Sequence, residues 1–232
     1  MGQIVAMGGG GFLMDDPLLD RFVCGLVERP RLRICLIPTA SGDHPSVIDA
    51  FHVAFPDGPF DPSVLELFDR SVDDISGFLT AQDVIYVGGG NTVSMLAVWR
   101  AHGVDVALRA AAAASVVLTG MSAGANCWFE ACTTDSYQLG RADALLDGLG
   151  FVAGSFTPHL DSEPARQAAA TGLIGSGALP HGYVCEDFAA IHVVDGEVRE
   201  AVASRPGARV FRVEPDGMGG VHATLLEVRT LS

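Results

Sequence analysis

The chain has 232 residues, of which 49% are hydrophobic and 18% are charged, a composition typical of a globular protein. Its formal net charge of −14 disfavours attraction to nucleic acid or to an anionic membrane surface. The five cysteines form no C-x-x-C pair, and no apolar run reaches the roughly 18 residues of a membrane span, so we expect a cytoplasmic protein without disulfides or zinc.

Strands and helices are predicted to alternate through the first two thirds of the chain. Short apolar runs predict strands at 3–7, 33–38, 64–68, 84–87 and 115–119. Apolar residues at three- and four-residue spacing predict helices at 16–28, 45–55, 72–81, 92–101 and 104–114. This order indicates an α/β protein whose mostly parallel sheet is buried between helices.

The last third of the chain has a different pattern. Segments 189–194 and 197–202 flank Asp195-Gly196 and predict a β-hairpin. A second pair is expected at 208–213 and 222–230. Because no Pro- or Ser-rich linker intervenes, we expect an antiparallel extension of the same sheet, and one domain over residues 1–232.

The strongest local motif is G-x-S-x-G at 120–124, directly after an apolar strand. Small residues on both sides of Ser122 allow a sharp strand-to-helix turn, which exposes the hydroxyl as a nucleophile. The alternative is a tight turn in which Ser122 is a buried helix cap.

A serine nucleophile needs a base and an acid that orients the base. His159 is the candidate base, because it follows a short apolar run in the segment 156–161. Asp135, in a polar loop after the elbow, is the preferred acid, and Glu130 is the alternative. Each of the three could instead be an ordinary surface residue.

Two glycine-rich turns follow predicted strands, at 8–11 and 88–90. The first lacks the third glycine of a dinucleotide-binding motif, and the chain has no lysine for a Walker loop. Gly89 and Gly90, together with Ala123, are the candidate N–H donors of an oxyanion hole. A plain flexible turn is the alternative for the two glycines.

Two further residues are candidates for binding substrate. Arg166 follows His159 at the start of a predicted helix and could pair with a substrate carboxylate, although the sequence alone favours a surface salt bridge. Asn91 directly follows the second glycine turn. His159 and Asp161 lack a third partner for a metal, so we predict neither a metal nor a cofactor.

Four segments together resemble the peptidase E family, which is in the same peptidase family as cyanophycinase: 86–92, 120–126, 133–135 and 158–159. The resemblance covers roughly residues 1 to 190. It implies a flavodoxin-like, three-layer sandwich similar to the class I glutamine amidotransferases, with serine in place of cysteine at the elbow. It also implies a metal-free dipeptidase that prefers an N-terminal aspartyl residue.

The leading hypothesis is therefore hydrolysis of Asp-Xaa dipeptides through an acyl-enzyme on Ser122. One alternative is a cyanophycinase-like exopeptidase that acts on β-Asp-Arg substrates, and another is a non-catalytic binding module of the same fold. A small peptide is the expected partner, and we expect a monomer or a homodimer.

Overall fold

The computed structural model describes residues 2–138 and 140–232. These residues form two β-sheets and seven α-helices. The strands are β1 (Gln3–Met7), β2 (Leu32–Ile37), β3 (Phe60–Val64), β4 (Val84–Val87), β5 (Val117–Met121), β6 (Phe129–Thr134), β7 (Asp143–Leu145), β8 (Val152–Thr157), β9 (Gly182–Cys185), β10 (Ala189–Val194), β11 (Glu197–Ala203), β12 (Val210–Pro215), β13 (Val221–Leu225) and β14 (Val228–Thr230). The helices are α1 (Pro17–Cys24), α2 (Pro45–Ala54), α3 (Ile75–Thr80), α4 (Thr92–His102), α5 (Val104–Ala113), α6 (Ala123–Asn126) and α7 (Pro164–Gly175).

The main sheet has eight strands in the order β14-β11-β10-β1-β5-β4-β2-β3. The five strands from β1 to β3 in this order run parallel, so the turns after their carboxyl ends meet at one edge. β10 joins the other side of β1 in antiparallel orientation and forms a hairpin with β11. In parallel α/β sheets this carboxyl edge is where binding and catalytic residues collect.

Helices cover both faces of the main sheet. Leu19 of α1 and Phe51 of α2 pack on one face against Val5 of β1. Trp99 of α4 and Leu108 of α5 pack on the other face. The prediction of a three-layer, flavodoxin-like α/β sandwich is confirmed.

A second sheet has six strands in the order β13-β12-β9-β8-β6-β7. α7 packs on this sheet, where Ala170 and Ile174 contact Val184 and Val213. The stacked rings of Phe129 and Phe156, 5.0 Å apart, belong to the same apolar cluster as the helix-packed face of the main sheet. One core therefore extends across both sheets.

Two details of the predicted fold were wrong. The third strand lies at Phe60–Val64 and not at 64–68. It is an edge strand, and an edge strand tolerates Pro62 because the missing N–H removes no hydrogen bond between strands when that side of the residue faces outward. Residues 208–213 and 222–230 do not simply extend the main sheet. β12 and β13 pair within the second sheet, and only β14 joins the first.

No helix in the described part of the chain has the length and apolar character needed to cross a membrane.

Asp20 of α1 is a carboxylate buried beneath the main sheet, only 6% exposed. Burial raises its pKa from 3.8 to about 7, and the nearby Tyr86 hydroxyl offsets only part of that rise. The folded chain therefore holds this proton more tightly than the unfolded chain does, so Asp20 lowers stability progressively as the pH rises from 3.8 to about 7. Asp20→Asn is expected to raise the free energy of unfolding at pH 8 by roughly 2–4 kcal/mol and to leave it little changed at acidic pH. Urea denaturation at both pH values measures this, and a mutant that is no more stable than wild type at pH 8 would contradict it.

Candidate active site

Ser122 occupies a strained turn between β5 and α6. Its φ of 55° and ψ of −115° lie in a region that L-residues rarely adopt, at a cost of about 1–3 kcal/mol. Its N–H donates to the carbonyl of Met7 (3.3 Å), and its carbonyl accepts from Asn126 N–H (2.9 Å). The backbone is thus fixed on both sides, while Ser122 itself stays partly exposed between the buried residues Met121 and Ala123.

The two glycines of the motif allow the elbow to pack against β4. A Cβ on Gly124 would clash with the carbonyl oxygen of Val87, and one on Gly120 would lie 2.8 Å from the same oxygen and 2.5 Å from the carbonyl oxygen of Gly124. Both contacts involve backbone, which cannot rotate away. The sequence motif therefore reflects the close approach of two backbones.

Gly124→Ala is expected to destabilise the fold by more than about 2 kcal/mol, because β4 or the elbow must move. Gly172→Ala in α7 is the matched control, since its Cβ would have no neighbour within 4 Å. Replacing that helical glycine is expected to be neutral or stabilising by up to about 1 kcal/mol. Urea denaturation of both variants measures the difference, and similar stabilities would contradict the packing argument.

His159 follows β8 and forms a hydrogen bond with Asp187, which follows β9. Its Nδ1 lies 2.7 Å from Asp187 Oδ1, and the two side chains are 14% and 7% exposed. The N–H of Asp187 donates to Asp161 Oδ1 (2.8 Å), which fixes the loop that carries the acid. β8 and β9 are parallel neighbours, so their carboxyl ends bring the two residues together.

The carboxyl group of Asp187 is held ionised. Burial acts to raise its pKa, but hydrogen bonds from His159 and Ser162 and the nearby charges of His159 and Arg205 outweigh burial and lower the pKa below its ordinary value. An ionised carboxylate only accepts hydrogen bonds, so Nδ1 of His159 must donate. This leaves Nε2 as the nitrogen available to take a proton in a neutral imidazole.

The glycine turn after β1 connects the elbow to this pair. Met7, the last residue of β1, accepts the hydrogen bond from Ser122. Two residues later, a Cβ on Gly9 would clash with Asp187 Oδ1 and lie 3.2 Å from His159 Cε1. The elbow and the His159–Asp187 pair therefore border the same short segment at the carboxyl edge of the main sheet.

Gly89 is the glycine of the second turn that faces Ser122. A Cβ there would lie 3.4 Å from Ser122 Cβ and 3.9 Å from its Oγ. Gly90, with φ of 139°, instead packs against the carbonyl of Ala40. In the described part of the chain, neither glycine N–H has an acceptor. Ala123 begins α6, where the first N–H groups of a helix have no intrahelical partner.

Neither predicted acid lies beside His159. Glu130 accepts from the N–H of Gly154 (2.9 Å), because α6 is a single turn and Glu130 lies on β6 and not on a helix. Asp135 Oδ1 instead lies 3.2 Å from Nη2 of Arg166. The acid beside the imidazole is Asp187, which the sequence prediction missed. One feature of the sequence could have indicated Asp187. It belongs to a polar pair between the apolar runs 182–185 and 189–194, at the end of a strand adjacent to β8.

Arg166 is buried, with 4% of its surface exposed. Its Nε donates to Glu163 (2.5 Å), whereas its Nη atoms make longer contacts with Asp135 (3.2 Å) and the carbonyl of Thr133 (3.4 Å). That carbonyl also accepts from Asn126 Nδ2, which connects Arg166 to the helix of the elbow. Arg166 is thus not the surface residue that a plain salt bridge would involve.

Asn91 has a structural function. Its Oδ1 accepts from Ser94 N–H (2.8 Å) and caps α4, and its Nδ2 donates to the carbonyl of Ser136 (3.0 Å). These bonds use both ends of the amide, so Asn91 holds the loop after β6 against α4.

The sequence profile of Peptidase family S51 matches residues 4–201. The chain belongs to this family. The uncharacterized peptidase YgaJ of Bacillus subtilis (strain 168) is a similar protein, 45% identical over 215 residues that cover 92% of each protein. The family assignment makes the protein a peptidase of the peptidase E type.

Two solved structures have the same fold as this S51 protein. A peptidase from an acI-B1 Actinobacterium matches with a TM-score of 0.70 and 16% identity over 98% of this chain and 95% of the other. A candidate peptidase E from Listeria monocytogenes EGD-e matches with a TM-score of 0.62 and 20% identity over 85% of this chain and 96% of the other. At these identities the similarity concerns the fold alone.

Proposed function

We propose that this S51 protein is a serine peptidase in which Ser122 is the nucleophile, His159 the general base and Asp187 the acid that orients His159. The observation that carries the proposal is the ionised Asp187 carboxylate, which lies 2.7 Å from His159 Nδ1 and against Gly9. Gly9 is two residues after Met7, whose carbonyl accepts the hydrogen bond from the strained Ser122 elbow. Asp187 replaces Asp135 and Glu130 in this proposal.

The reaction proceeds in two acyl-transfer steps. Ser122 Oγ attacks the scissile carbonyl while Nε2 of His159 takes the hydroxyl proton, and Asp187 remains ionised. The N–H groups of Gly89 and Ala123 donate to the oxyanion of the tetrahedral intermediate. His159 then gives the proton to the leaving amine, which departs and leaves an ester on Ser122. Water, activated by His159, hydrolyses that ester and restores the hydroxyl.

Dipeptides with N-terminal aspartate are the proposed substrates. Arg166 supports this choice, because a buried guanidinium connected to the elbow helix can recognise a carboxylate. Its Nη edge is the more loosely held one, since the contacts to Asp135 and Thr133 are longer than the one to Glu163. A substrate carboxylate would pair with this Nη edge.

Release of free amino acid from Asp-Xaa, β-Asp-Arg and Ala-Xaa substrates tests the proposed specificity. We expect Asp-Xaa to be cleaved with the highest kcat/KM. Exclusive cleavage of β-Asp-Arg would instead favour the cyanophycinase-like alternative, which is supported by the two carboxylates, Asp135 and Glu163, that already offset the charge of Arg166. No cleavage of any of the three would favour the binding-module alternative.

Arg166→Lys is expected to lower kcat/KM for Asp-Xaa dipeptides about 10- to 100-fold, because a lysine keeps the charge but loses the forked geometry of the guanidinium. Cleavage of Ala-Xaa, which has no side-chain carboxylate, is the internal control and should change much less. An equal loss on both substrates would show that Arg166 acts through the fold and not on the substrate carboxylate.

The remaining expectations are also proposals. We propose that the protein acts in the cytoplasm on small peptides, as one domain over residues 1–232 and without a cofactor. We propose a monomer or a homodimer, which sedimentation equilibrium distinguishes directly.

A further inference from the structure

Arg205 lies just beyond β11, at the same edge of the main sheet as the catalytic turns. β10 is antiparallel to both β1 and β11, so β11 runs in the direction of β1 and ends at the carboxyl edge. At this end Ala203 pairs with Ala189, which begins β10 two residues after Asp187. The sheet therefore brings Arg205 to the turn that carries the proposed catalytic acid.

Phe188 connects Arg205 to this turn. Its φ of 63° lies in the left-handed region, which is uncommon for a residue other than glycine. Its N–H donates to the carbonyl of Gly9 (2.9 Å), and its own carbonyl accepts from Ser204 N–H (2.9 Å). The guanidinium carbon of Arg205 lies 3.3 Å from the centre of the Phe188 ring, within the range of a cation–π interaction. Arg205 thus packs directly on a strained turn.

The charge of Arg205 is not taken up by a neighbouring acid. Among residues 2–138 and 140–232, no ion pair joins Arg205 to a carboxylate. Arg209, in contrast, binds both oxygens of Glu186, through Nε (2.8 Å) and its backbone N–H (2.8 Å). Two acids flank Asp187, since Glu186 precedes it and Asp161 accepts from its N–H (2.8 Å). The charge of Arg205 remains available to Asp187, and it helps to lower the pKa of that carboxyl.

We propose that Arg205 is a positioning residue for the catalytic acid: it holds the turn at 187–188 through the Phe188 ring, and its charge keeps Asp187 ionised. An ionised Asp187 in turn keeps Nδ1 of His159 as the donor. The proposal rests on the proposed function, in which Asp187 is the acid that orients His159. Arg205 acts through Asp187 and not on the substrate.

Loss of this charge should move the titration of the His159–Asp187 pair to higher pH. A nearby cation favours the ionised carboxyl and opposes the charged imidazole, so its removal favours proton uptake at either member. The two groups are hydrogen-bonded and therefore titrate as a coupled pair. Other titratable groups around Asp187 include Asp161, Cys185, Glu186 and Arg209. Burial raises the pKa of Cys185, which stays neutral, and substitution of Arg205 leaves all four groups in place.

NMR titration of the His159 imidazole in the resting protein tests the proposal without requiring turnover. Comparison with His159→Gln assigns the signals. In Arg205→Gln the midpoint should rise by about 0.5 pH unit or more, whereas Arg205→Lys, which keeps the charge, should stay within about 0.2 pH unit of wild type. Arg199→Gln is the matched control, because it removes an exposed arginine near the start of the same strand, and it should leave the midpoint unchanged.

The pH dependence of Asp-Xaa hydrolysis gives a second readout. The acid limb of kcat/KM should move to higher pH in Arg205→Gln, with KM at pH 8 little changed. An unchanged NMR midpoint in folded Arg205→Gln, or an equal shift in Arg205→Lys or Arg199→Gln, would overturn the role of Arg205; thermal unfolding scans establish that the variants are folded. Absence of hydrolysis by wild type would instead reject the peptidase proposal, and the NMR titration would still decide whether Arg205 acts on the pair.

Discussion

Ser122→Ala is expected to lower kcat/KM for dipeptide hydrolysis by about four to six orders of magnitude, with little change in the free energy of unfolding. Removing the nucleophile eliminates the acyl-enzyme path. The remaining rate acceleration comes only from substrate binding and from the hydrogen-bond donors to the oxyanion. The strained backbone at residue 122, with φ of 55°, is present in both proteins, so the substitution changes one oxygen atom and little else.

Purified wild type and Ser122→Ala should be compared under single-turnover conditions, with release of the free amino acid as the readout. Ser94→Ala, on the exposed first turn of α4, is a matched control that removes the same atom elsewhere. We expect activity close to wild type for that control. Activity in Ser122→Ala within about tenfold of wild type would reject Ser122 as the nucleophile.

Asp187→Asn should reduce kcat by about three to four orders of magnitude while leaving KM nearly unchanged. The amide is the same size as the carboxylate, but it neither fixes the Nδ1–H tautomer nor stabilises the imidazolium that forms during the reaction. We attribute the expected fall in kcat to loss of the hydrogen bond between His159 Nδ1 and the Asp187 carboxylate, which is 2.7 Å long in the wild-type protein.

Asp135→Asn and Glu130→Gln are the matched controls for Asp187→Asn, since each removes one charge from an acid that the sequence favoured. Glu130 accepts a single backbone hydrogen bond from Gly154, so Glu130→Gln should retain most of the wild-type kcat. Asp135→Asn loosens Arg166 and should act on KM more than on kcat. A loss of kcat in Asp135→Asn as large as in Asp187→Asn would contradict the assignment of the acid.

The local features of the site were predictable from the sequence. The G-x-S-x-G motif after an apolar strand predicted the elbow. The sharp turn at Ser122 and the close approach of β4 both require small residues beside the serine, so the motif is visible within a few residues of sequence. The parallel strands and the helices that cover them were also predictable from local sequence. The spacing of apolar residues indicates which face of each segment is buried.

The acid was not predictable by proximity along the chain. Asp187 lies 28 residues after His159, and the two meet only because β8 and β9 are parallel neighbours in the second sheet. That sheet was itself missed, because the pairing of its strands depends on tertiary contacts between segments far apart in the sequence. Nothing in the sequence marked the end of α6 after one turn, so the position of Glu130 on β6 was not predictable either.

The most direct test of the central claim is to identify the residue that carries the acyl group during turnover. An activated aspartyl ester, for which breakdown of the acyl-enzyme limits the rate, should be mixed with the protein and quenched in acid, and the adduct should be mapped by mass spectrometry of peptides. Our account predicts one aspartyl adduct on the peptide that contains Ser122, and none in Ser122→Ala. An adduct on another residue, or ester hydrolysis by Ser122→Ala at the wild-type rate, would contradict it.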